Sequence, residues 1–254
     1  SPLEVVQHLT EWTGRPGLPP EWAFAPWNDA VRGEARVREV AARLRSFGAA
    51  SSVIWSEDWK GASKNGVGYH LEGEWFVDET LYPAVETLAA DLEADGFKWF
   101  AYFSPFLRTG TQTFDEAVEA GVVLRTDENE TYLFKGAQFE DETMVDLSTE
   151  LGRDWARDRM RAALDLGFDG WMADYAEWLP TDAVLNGGED ALTVHNLFPE
   201  WWQETNATLL DEYEMTFFVR SGWSRTSGIA PIVWAGDQRT SFDTDDGFPS
   251  VVAM

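Results

Sequence analysis

The chain alternates amphipathic helical segments with apolar stretches, and a glycine stands at each junction. The segments with helical periodicity cover residues 34–47, 80–95, 115–120 and 149–166. The glycines that follow them are Gly48, Gly96, Gly121 and Gly167. Glycine after a helix adopts the left-handed C-terminal cap without steric cost. Helices that alternate in this way with buried strands predict a parallel sheet of βαβ units.

The apolar stretches predict the strands of this sheet. They cover residues 22–27, 52–55, 97–103, 122–124, 168–174, 215–220 and 232–236. Their nearly continuous apolar character is typical of strands buried on both faces. No glycine-rich phosphate loop follows any of them, so a nucleotide site is not indicated. We therefore predict an α/β fold of the (β/α)8 TIM-barrel type, truncated after about the sixth strand.

The first 21 residues differ from the rest of the chain. They combine a short helical segment, residues 2–12, with the glycine- and proline-rich stretch 14–20. We predict that residues 1–21 are the tail of an upstream domain plus a linker. Residues 22–254 then form a catalytic barrel that is incomplete at its C-terminus. Because such a barrel has open sheet edges, we expect it to be unstable alone.

Composition limits the possible partners. The chain has 45 acidic and 19 basic residues, and the resulting net charge of −26 repels nucleic acid and anionic membrane surfaces. No apolar run approaches the roughly 18 residues that a bilayer-spanning helix needs. The absence of cysteine favours a cytoplasmic location. We therefore expect neither nucleic acid nor membrane as a partner.

Two aspartates end predicted strands in similar, tryptophan-rich settings. Asp174 ends the stretch 168–174, and Asp237 follows the stretch 232–236. Barrel enzymes place their reactive groups at the C-terminal ends of strands, and glycoside cleavage requires two carboxyl groups there. A single aspartate at a strand end more often caps a helix or starts a turn. The pair in matching settings favours a sugar-cleaving site.

A second chemistry is open at this stage. Asp58, Asp146, Asp174 and Asp237 all follow predicted strands, where they could hold Mg²⁺ for enolase-type proton abstraction. That reaction also needs a lysine or histidine base at a strand end, and no lysine is predicted there.

Several longer motifs resemble glycoside hydrolase family 31, which contains α-glucosidases, α-xylosidases and sulfoquinovosidases. These motifs cover residues 18–19, 55–59, 145–148, 170–182, 195–196, 217–222, 233–238 and 245–247. The chain is most similar to the sulfoquinovosidase-type branch, and the resemblance extends over nearly its whole length. It implies a fragment of a catalytic barrel domain that acts on a small carbohydrate and needs no metal or other cofactor.

The resemblance also implies the catalytic residues. Asp174 occupies the position of the nucleophile, and Asp237 that of the general acid/base. A retaining glycosidase needs one ionised carboxylate and one protonated carboxyl, about 5–5.5 Å apart. Burial beside Trp234 is expected to raise the pKa of the second acid.

The same resemblance implies the substrate-binding residues. Asp58 matches a position that binds sugar hydroxyls, and Arg220 matches an arginine that binds hydroxyls near the acid/base. For Arg220, an ion pair that orients Asp237 is an equally open alternative. The expected pocket walls, each of which could instead belong to the core, are Trp55, Trp171 and Trp234.

One departure from the sulfoquinovosidase pattern concerns its sulfonate clamp. Sulfoquinovosidases have a Lys-Arg-x-x-Trp stretch here. Aligned without a gap, its lysine, arginine and tryptophan positions are occupied by Tyr69, His70 and Gly73. The glutamine that precedes Asp-Trp in that branch is replaced by Glu57. A sulfonate needs cations and N–H donors, whereas Glu57 repels it and His70 replaces only part of the clamp. We therefore place Glu57 and His70 in a site for a neutral substrate.

The leading hypothesis is a retaining α-glycoside hydrolase for a small α-glucoside-like substrate, acting through a covalent glycosyl-aspartate intermediate. One alternative is a sulfoquinovosidase with a different sulfonate clamp. The other is a fragment that binds carbohydrate without catalysis.

Acidic excess with only four lysines predicts a protein adapted to concentrated salt. We expect the melting temperature to rise by several degrees between about 0.1 and 3 M KCl, because salt screens the repulsion among the acidic side chains. Melting followed by circular dichroism measures this. Sucrose at equal osmolarity is the control, since it does not screen charge. A melting temperature that is flat or falls in KCl contradicts the prediction.

Overall fold

A parallel sheet of six strands forms the centre of the protein in a computed structural model, which describes residues 1–65, 68–136 and 140–253. In spatial order its strands are β1 (Trp27–Asp29), β2 (Val53–Trp55), β5 (Lys98–Phe103), β9 (Gly170–Ala173), β10 (Thr216–Val219) and β11 (Ile232–Val233). Each strand pairs in parallel with its neighbour, and spatial order follows chain order. This is the succession of strands in a (β/α)8 barrel, so the predicted fold class is confirmed.

Two short antiparallel sheets extend the loops that follow β2 and β5. After β2, β3 (Ala62–Asn65) pairs with β4 (Gly68–Leu71). After β5, β8 pairs on either side with β6 and β7. The bounds of these three strands are β6 (Phe106–Arg108), β7 (Phe134–Lys135) and β8 (Asp141–Met144).

Most of the helices lie in the crossovers between the parallel strands. They are α1 (Pro2–Thr13), α2 (Glu34–Ser46), α3 (Val85–Ala94), α4 (Gln112–Ala120), α5 (Glu150–Leu164), α6 (Ala191–Val194), α7 (Phe198–Ala207), α8 (Thr226–Ile229) and α9 (Phe248–Ala253). The predicted helices 34–47, 115–120 and 149–166 are confirmed with small shifts of their ends. In contrast, α3 begins later than residue 80, because the Asp78 carboxylate accepts hydrogen bonds from the N–H groups of Thr80 and Leu81 and holds a turn there.

Two strand predictions were wrong. Residues 22–27 were expected to be a strand, but Glu21–Phe24 is a 3₁₀ helix and β1 starts at Trp27. Proline at positions 20 and 26 explains this, since a residue without an N–H group cannot donate to a sheet ladder. Residues 122–124 lie outside the sheets, and Val123 makes only an isolated bridge to Val145.

The two faces of the parallel sheet carry different aromatic clusters, because successive side chains of a strand point to opposite faces. On the inner face, the ring of Trp27 packs edge-on against Phe100 and Phe218, with centroid distances of 5.2 and 5.3 Å. On the outer face, Trp171 stacks on Phe217 at 5.5 Å. The inner cluster therefore occupies the barrel interior, and the outer cluster faces the helices.

The N-terminal segment contacts the barrel through a close approach of two backbones. A Cβ atom on Gly14 would lie 2.5 Å from the Cα of Gly228, which belongs to α8. The assignment of residues 1–21 to an upstream domain stays a prediction. Over the described ranges, no helix combines the length and apolar character that crossing a bilayer requires.

Trp171 offers a test of the outer layer. Its Nε1 donates a hydrogen bond of 2.7 Å to Oδ1 of Asn206 in α7. In the Trp171→Phe variant, the buried Asn206 oxygen loses its donor, so we expect the free energy of unfolding to fall by about 1–3 kcal/mol. Urea titration measures it, with Trp12→Phe as control because Trp12 is 66% exposed. Equal stabilities of the two variants would contradict this account.

Candidate active site

Asp174 stands directly after β9 with both carboxylate oxygens held in place. Its side chain is almost completely buried. Oδ2 accepts a hydrogen bond of 3.0 Å from the hydroxyl of Tyr102, and Oδ1 accepts one of 2.9 Å from the N–H of Tyr175. Burial raises the pKa of Asp174, while the guanidinium of Arg220 and these hydrogen bonds act in the opposite direction. The arrangement orients the carboxylate and partly offsets the desolvation of its charge.

The backbone after Asp174 is strained. Tyr175 and Ala176 have φ values of 60° and 85°, a region that non-glycine residues rarely adopt. Ser221, which follows β10, donates a hydrogen bond from its hydroxyl to the carbonyl of Tyr175. The neighbouring strand therefore helps to hold this unfavourable turn, and such strain is often found at functional sites.

Arg220 pairs with carboxylates on both sides of this turn. Its Nε lies 3.5 Å from Oδ1 of Asp174, and its guanidinium is paired with Glu177. The guanidinium also lies 4.3 Å from the ring centroid of Tyr175. Of the two roles left open for Arg220, the ion pair with Asp237 is not found among the described residues, where Arg220 pairs with Asp174 and Glu177 instead, and binding of substrate hydroxyls stays a prediction.

A pocket of about 540 Å³ lies among the parallel strands and the segments that follow them, and Asp174, Tyr175 and Arg220 are not among the described residues that line it. Its polar walls are the carboxyl groups of Asp29, Glu57 and Asp237. Its apolar walls include Trp27, Trp55, Met172, Phe218 and Trp234. The structure thus brings together four residues predicted for the site, namely Trp55, Glu57, Trp234 and Asp237. Among the described residues that line it, none is lysine, arginine or histidine.

Glu57 connects this pocket to Asp174. Burial, together with the negative charges of Asp29, Asp174 and Asp237, raises the pKa of Glu57 to about 8. The carboxyl groups predicted to form the catalytic pair therefore act on one common neighbour. Asp29 still contacts solvent, yet desolvation within the pocket and the charge of Asp58 raise its pKa to about 6.

Asp237 lies beyond β11, after Gly236 with its φ of 90°. Among the described residues of this incomplete barrel the side chain of Asp237 is exposed, so its burial beside Trp234 stays a prediction. Trp234 instead packs edge-on against Phe218, at 6.5 Å between centroids. Asp237 is therefore a pocket residue with free access to solvent.

Asp58 does not reach the pocket. Its side chain is fully buried, and Oδ2 accepts hydrogen bonds of 2.6 and 3.0 Å from the N–H groups of Arg32 and Gly33. The hydroxyls of Tyr69 and Tyr82 donate to the two oxygens. Because four protein donors already occupy this carboxylate, the structure favours a structural role for Asp58 over the expected bidentate contact with a sugar.

Three other predicted residues also lie elsewhere. Trp171 is fully buried on the outer face of the sheet. Its neighbour Met172 lines the pocket, and successive side chains of a strand point to opposite faces. His70 lies in β4, opposite Ser63, and is not part of the pocket wall described above. Asp146 is fully buried and accepts hydrogen bonds from Ser148 and Asn186, which assigns it to a turn.

A second, smaller cavity of about 30 Å³ adjoins Tyr102 and Tyr175. Lys60 lines it and is almost completely buried, which lowers the pKa of its ammonium group to about 8. Arg108 also lines it and is packed against Gly73, where an added Cβ atom would lie 2.6 Å from the Cβ of Arg108. The place of a side chain at residue 73 is therefore filled by Arg108.

The donor groups near the site do not form a metal centre. Within residues 1–65, 68–136 and 140–253, no three or more histidine or carboxylate side chains are arranged to hold a metal ion. Protein donors already occupy Asp58 and Asp146, two of the four residues on which the Mg²⁺ hypothesis rested. That hypothesis has no geometric support here.

Sequence reasoning missed three residues of the site, namely Trp27, Asp29 and Tyr102. Asp29 is the last residue of β1, but the sequence predicted the first strand at residues 22–27, so Asp29 was not recognised as a strand-end carboxylate. Tyr102 lies in a predicted strand, and only the alternation of side chains along β5 indicated which face it occupies. No local signal links Tyr102 to Asp174, 72 residues later.

Comparison with known proteins extends these observations. The sequence profile described as "Glycosyl hydrolases family 31 TIM-barrel domain" matches residues 16–247. The chain is 31% identical to the sulfoquinovosidase of Agrobacterium fabrum, over 98% of this chain and 38% of that protein. It is 24% identical to the 1,3-alpha-isomaltosidase of Kribbella flavida, over 95% of this chain and 37% of that protein.

A solved structure of a similar protein has nearly the same fold. The sulfoquinovosidase from E. rectale, in complex with the aza-sugar inhibitor IFGSQ, has a TM-score of 0.91 and 27% sequence identity. The match covers 98% of this chain and 38% of that one. The chain thus spans less than half the length of the relatives that it matches.

The structural role of Asp58 is testable. Asp58→Ala removes the acceptor of two backbone N–H groups and two tyrosine hydroxyls. We expect the free energy of unfolding to fall by about 3 kcal/mol or more, because buried donors lose their partner. Urea titration measures it, and the control is Asp78→Ala, which removes the acceptor of the N–H groups of Thr80 and Leu81 in a half-buried turn. A stable Asp58→Ala variant with weakened sugar binding would restore the original assignment.

Proposed function

Because this chain belongs to glycosyl hydrolases family 31, we propose that the protein is a retaining α-glycoside hydrolase for small α-glucoside-like substrates. Asp174 is the nucleophile and Asp237 the general acid/base. The observation that carries the proposal is the carboxylate of Asp174, which is buried, held at both oxygens and paired with Arg220.

The reaction proceeds in two steps. In the first, a carboxylate oxygen of Asp174 forms a bond to the anomeric carbon, and the bond to the leaving oxygen breaks as Asp237 donates a proton to it. In the second, Asp237 takes a proton from water, whose oxygen displaces Asp174 from the anomeric carbon. The configuration of the sugar is inverted twice and therefore retained.

The surroundings of Asp174 support its role as the attacking group. A nucleophile must be ionised, and burial alone opposes this. Arg220 and the hydroxyl of Tyr102 stabilise the carboxylate form. Because both contacts leave the carboxylate with defined orientation, the attacking oxygen needs little reorganisation when the sugar arrives.

Three features support a neutral glycone. Glu57 and Asp29 line the pocket, where an anionic substituent would meet two carboxyl groups. His70 lies on a hairpin outside the described pocket wall. The tryptophan of the sulfonate clamp aligns with Gly73, and Arg108 fills the space that a side chain at this position would need.

A second candidate is a sulfoquinovosidase with a different clamp. It is favoured by the smaller cavity, where Lys60 and Arg108 lie beside Tyr102 and Tyr175. Relatives named sulfoquinovosidase point the same way. Against it, Arg108 is already paired with Glu72, and Glu142 lines the same cavity. With two carboxylates beside two cations, the cavity offers an anion little net attraction.

The nucleophile assignment is tested with the full-length protein that carries this chain. We expect Asp174→Asn to lower kcat/KM for an aryl α-glucoside by on the order of 10³-fold or more, because the covalent step is lost. The control is Asp182→Asn, which changes an exposed aspartate of the following loop. With added azide, Asp174→Ala should form the β-glycosyl azide, since azide enters the space of the missing carboxylate. An active Asp174→Asn enzyme, or an α-azide product, would contradict the assignment.

A further inference from the structure

The turn after Asp174 directs a backbone donor onto the carboxylate but is unfavourable by itself. The N–H of Tyr175 lies 2.9 Å from Oδ1 of Asp174. This geometry requires φ values of 60° at Tyr175 and 85° at Ala176, and the Cβ atoms of both residues oppose it. Such a conformation persists only when the surrounding structure holds it. The contacts that hold the turn therefore also determine where this donor points.

Two consecutive residues after β10 hold the turn from outside. The side chain of Arg220 pairs with Asp174 and Glu177. Ser221 acts on the backbone instead, because its hydroxyl donates a hydrogen bond to the carbonyl of Tyr175. That carbonyl belongs to the peptide group that joins the two residues with positive φ. A hydrogen bond to it fixes the orientation of this peptide group, and with it the shape of the turn.

Ser221 is held in turn by the helix layer. Nε2 of Gln203 in α7 donates a hydrogen bond of 2.7 Å to the carbonyl of Ser221, and Gln203 is fully buried. A serine hydroxyl rotates freely about its own bond, so it positions a partner only when its backbone is fixed. A chain of hydrogen bonds thus extends from α7 through Ser221 to the peptide group of the turn.

We propose that Ser221 is a positioning residue for the reaction: through the carbonyl of Tyr175, its hydroxyl keeps the N–H of Tyr175 directed at Asp174 and so keeps the attacking carboxylate aligned. This inference rests on the proposed function, in which Asp174 is the nucleophile, and adds a residue that acts on it through the backbone. Its role differs from that of Arg220, whose guanidinium contributes charge.

The pH dependence of the reaction reports on this alignment. Burial raises the pKa of Asp174, and the hydrogen bond from the N–H of Tyr175 opposes that effect. Without the Ser221 hydroxyl, we expect this hydrogen bond to weaken and the pKa of Asp174 to rise further. The other titratable and charged groups that act on Asp174 stay in place, namely Arg220 after β10, Glu177 and Tyr175 in the turn, Tyr102 in β5, and Glu57 and Lys60 after β2.

The experiment measures kcat and KM of the full-length protein for an aryl α-glucoside from about pH 4 to pH 8. The variants are Ser221→Ala, which removes the hydroxyl, and Ser221→Thr, which keeps one. The matched control is Ser227→Ala in α8, because the hydroxyl of Ser227 also donates to backbone carbonyls, those of Thr13 and Gly14. The control therefore loses the same chemical group at a place away from the turn.

For Ser221→Ala, we expect kcat and kcat/KM to fall together by about tenfold or more with little change in KM, because a misaligned nucleophile slows the chemical step. The acidic limb of kcat/KM should move to higher pH, since Asp174 must be ionised to attack. Ser221→Thr should recover most of the lost activity, and Ser227→Ala should match the wild type. Wild-type kcat in Ser221→Ala, or a fall without a shift of the acidic limb, would overturn the inference.

Crystal structures separate this inference from the proposed function. In full-length Ser221→Ala, we expect φ of residue 176 to leave the positive region and the N–H of Tyr175 to turn away from Asp174. If the wild type cleaves no aryl α-glycoside but the turn relaxes in this way, the proposed function fails and the hold of Ser221 on the turn stands. If the glucoside is cleaved and the turn in Ser221→Ala is unchanged, the role of Ser221 fails alone.

Discussion

The buried carboxylate of Asp58 binds three segments that follow or precede the first strands of the sheet. It accepts hydrogen bonds from the loop after β1, from Tyr69 in β4 and from Tyr82 ahead of α3. Arg32 and Gly33 have φ values of 88° and 84°, which turn both of their N–H groups toward one oxygen. A buried charge is stable only when such donors surround it. The position of Glu57, the preceding residue, depends on this anchor.

Alternation along the strands decides which side chains enter the pocket. Met172 in β9 and Phe218 in β10 line the pocket, while their neighbours Trp171 and Phe217 stack on the outer face. Asp174 lies two residues after Met172, so its side chain points to the same inner side, where it contacts Tyr102 and Arg220. One carboxylate is thereby held from β5 and β10 together. The strained turn after it is held from the segment after β10, where the hydroxyl of Ser221 donates a hydrogen bond to the carbonyl of Tyr175.

Much of the fold could be predicted from local patterns. Glycine after each helix and apolar runs between helices identified five of the six parallel strands. The first strand was misplaced because the apolar residues around Trp22 look like a strand, while Pro20 and Pro26 prevent one. Of the predicted site residues, Trp55, Glu57, Trp234 and Asp237 share one pocket. Asp58 and Trp171 are fully buried outside this pocket, because sequence position alone does not tell whether a side chain at or near a strand end faces the pocket or the core.

By itself, the sequence determined the succession of helices and strands and the two aspartates at strand ends, because hydrophobic periodicity and turn chemistry act between near neighbours in the chain. It also determined the net charge and the missing parts of the sulfonate clamp. Only the tertiary structure decided that Asp58 is an anchor, that Tyr102 and Arg220 hold Asp174, and that Asp29 and Glu57 share a pocket. These outcomes depend on burial and on contacts between residues far apart in the chain, and no local pattern encodes the distance between two strand ends.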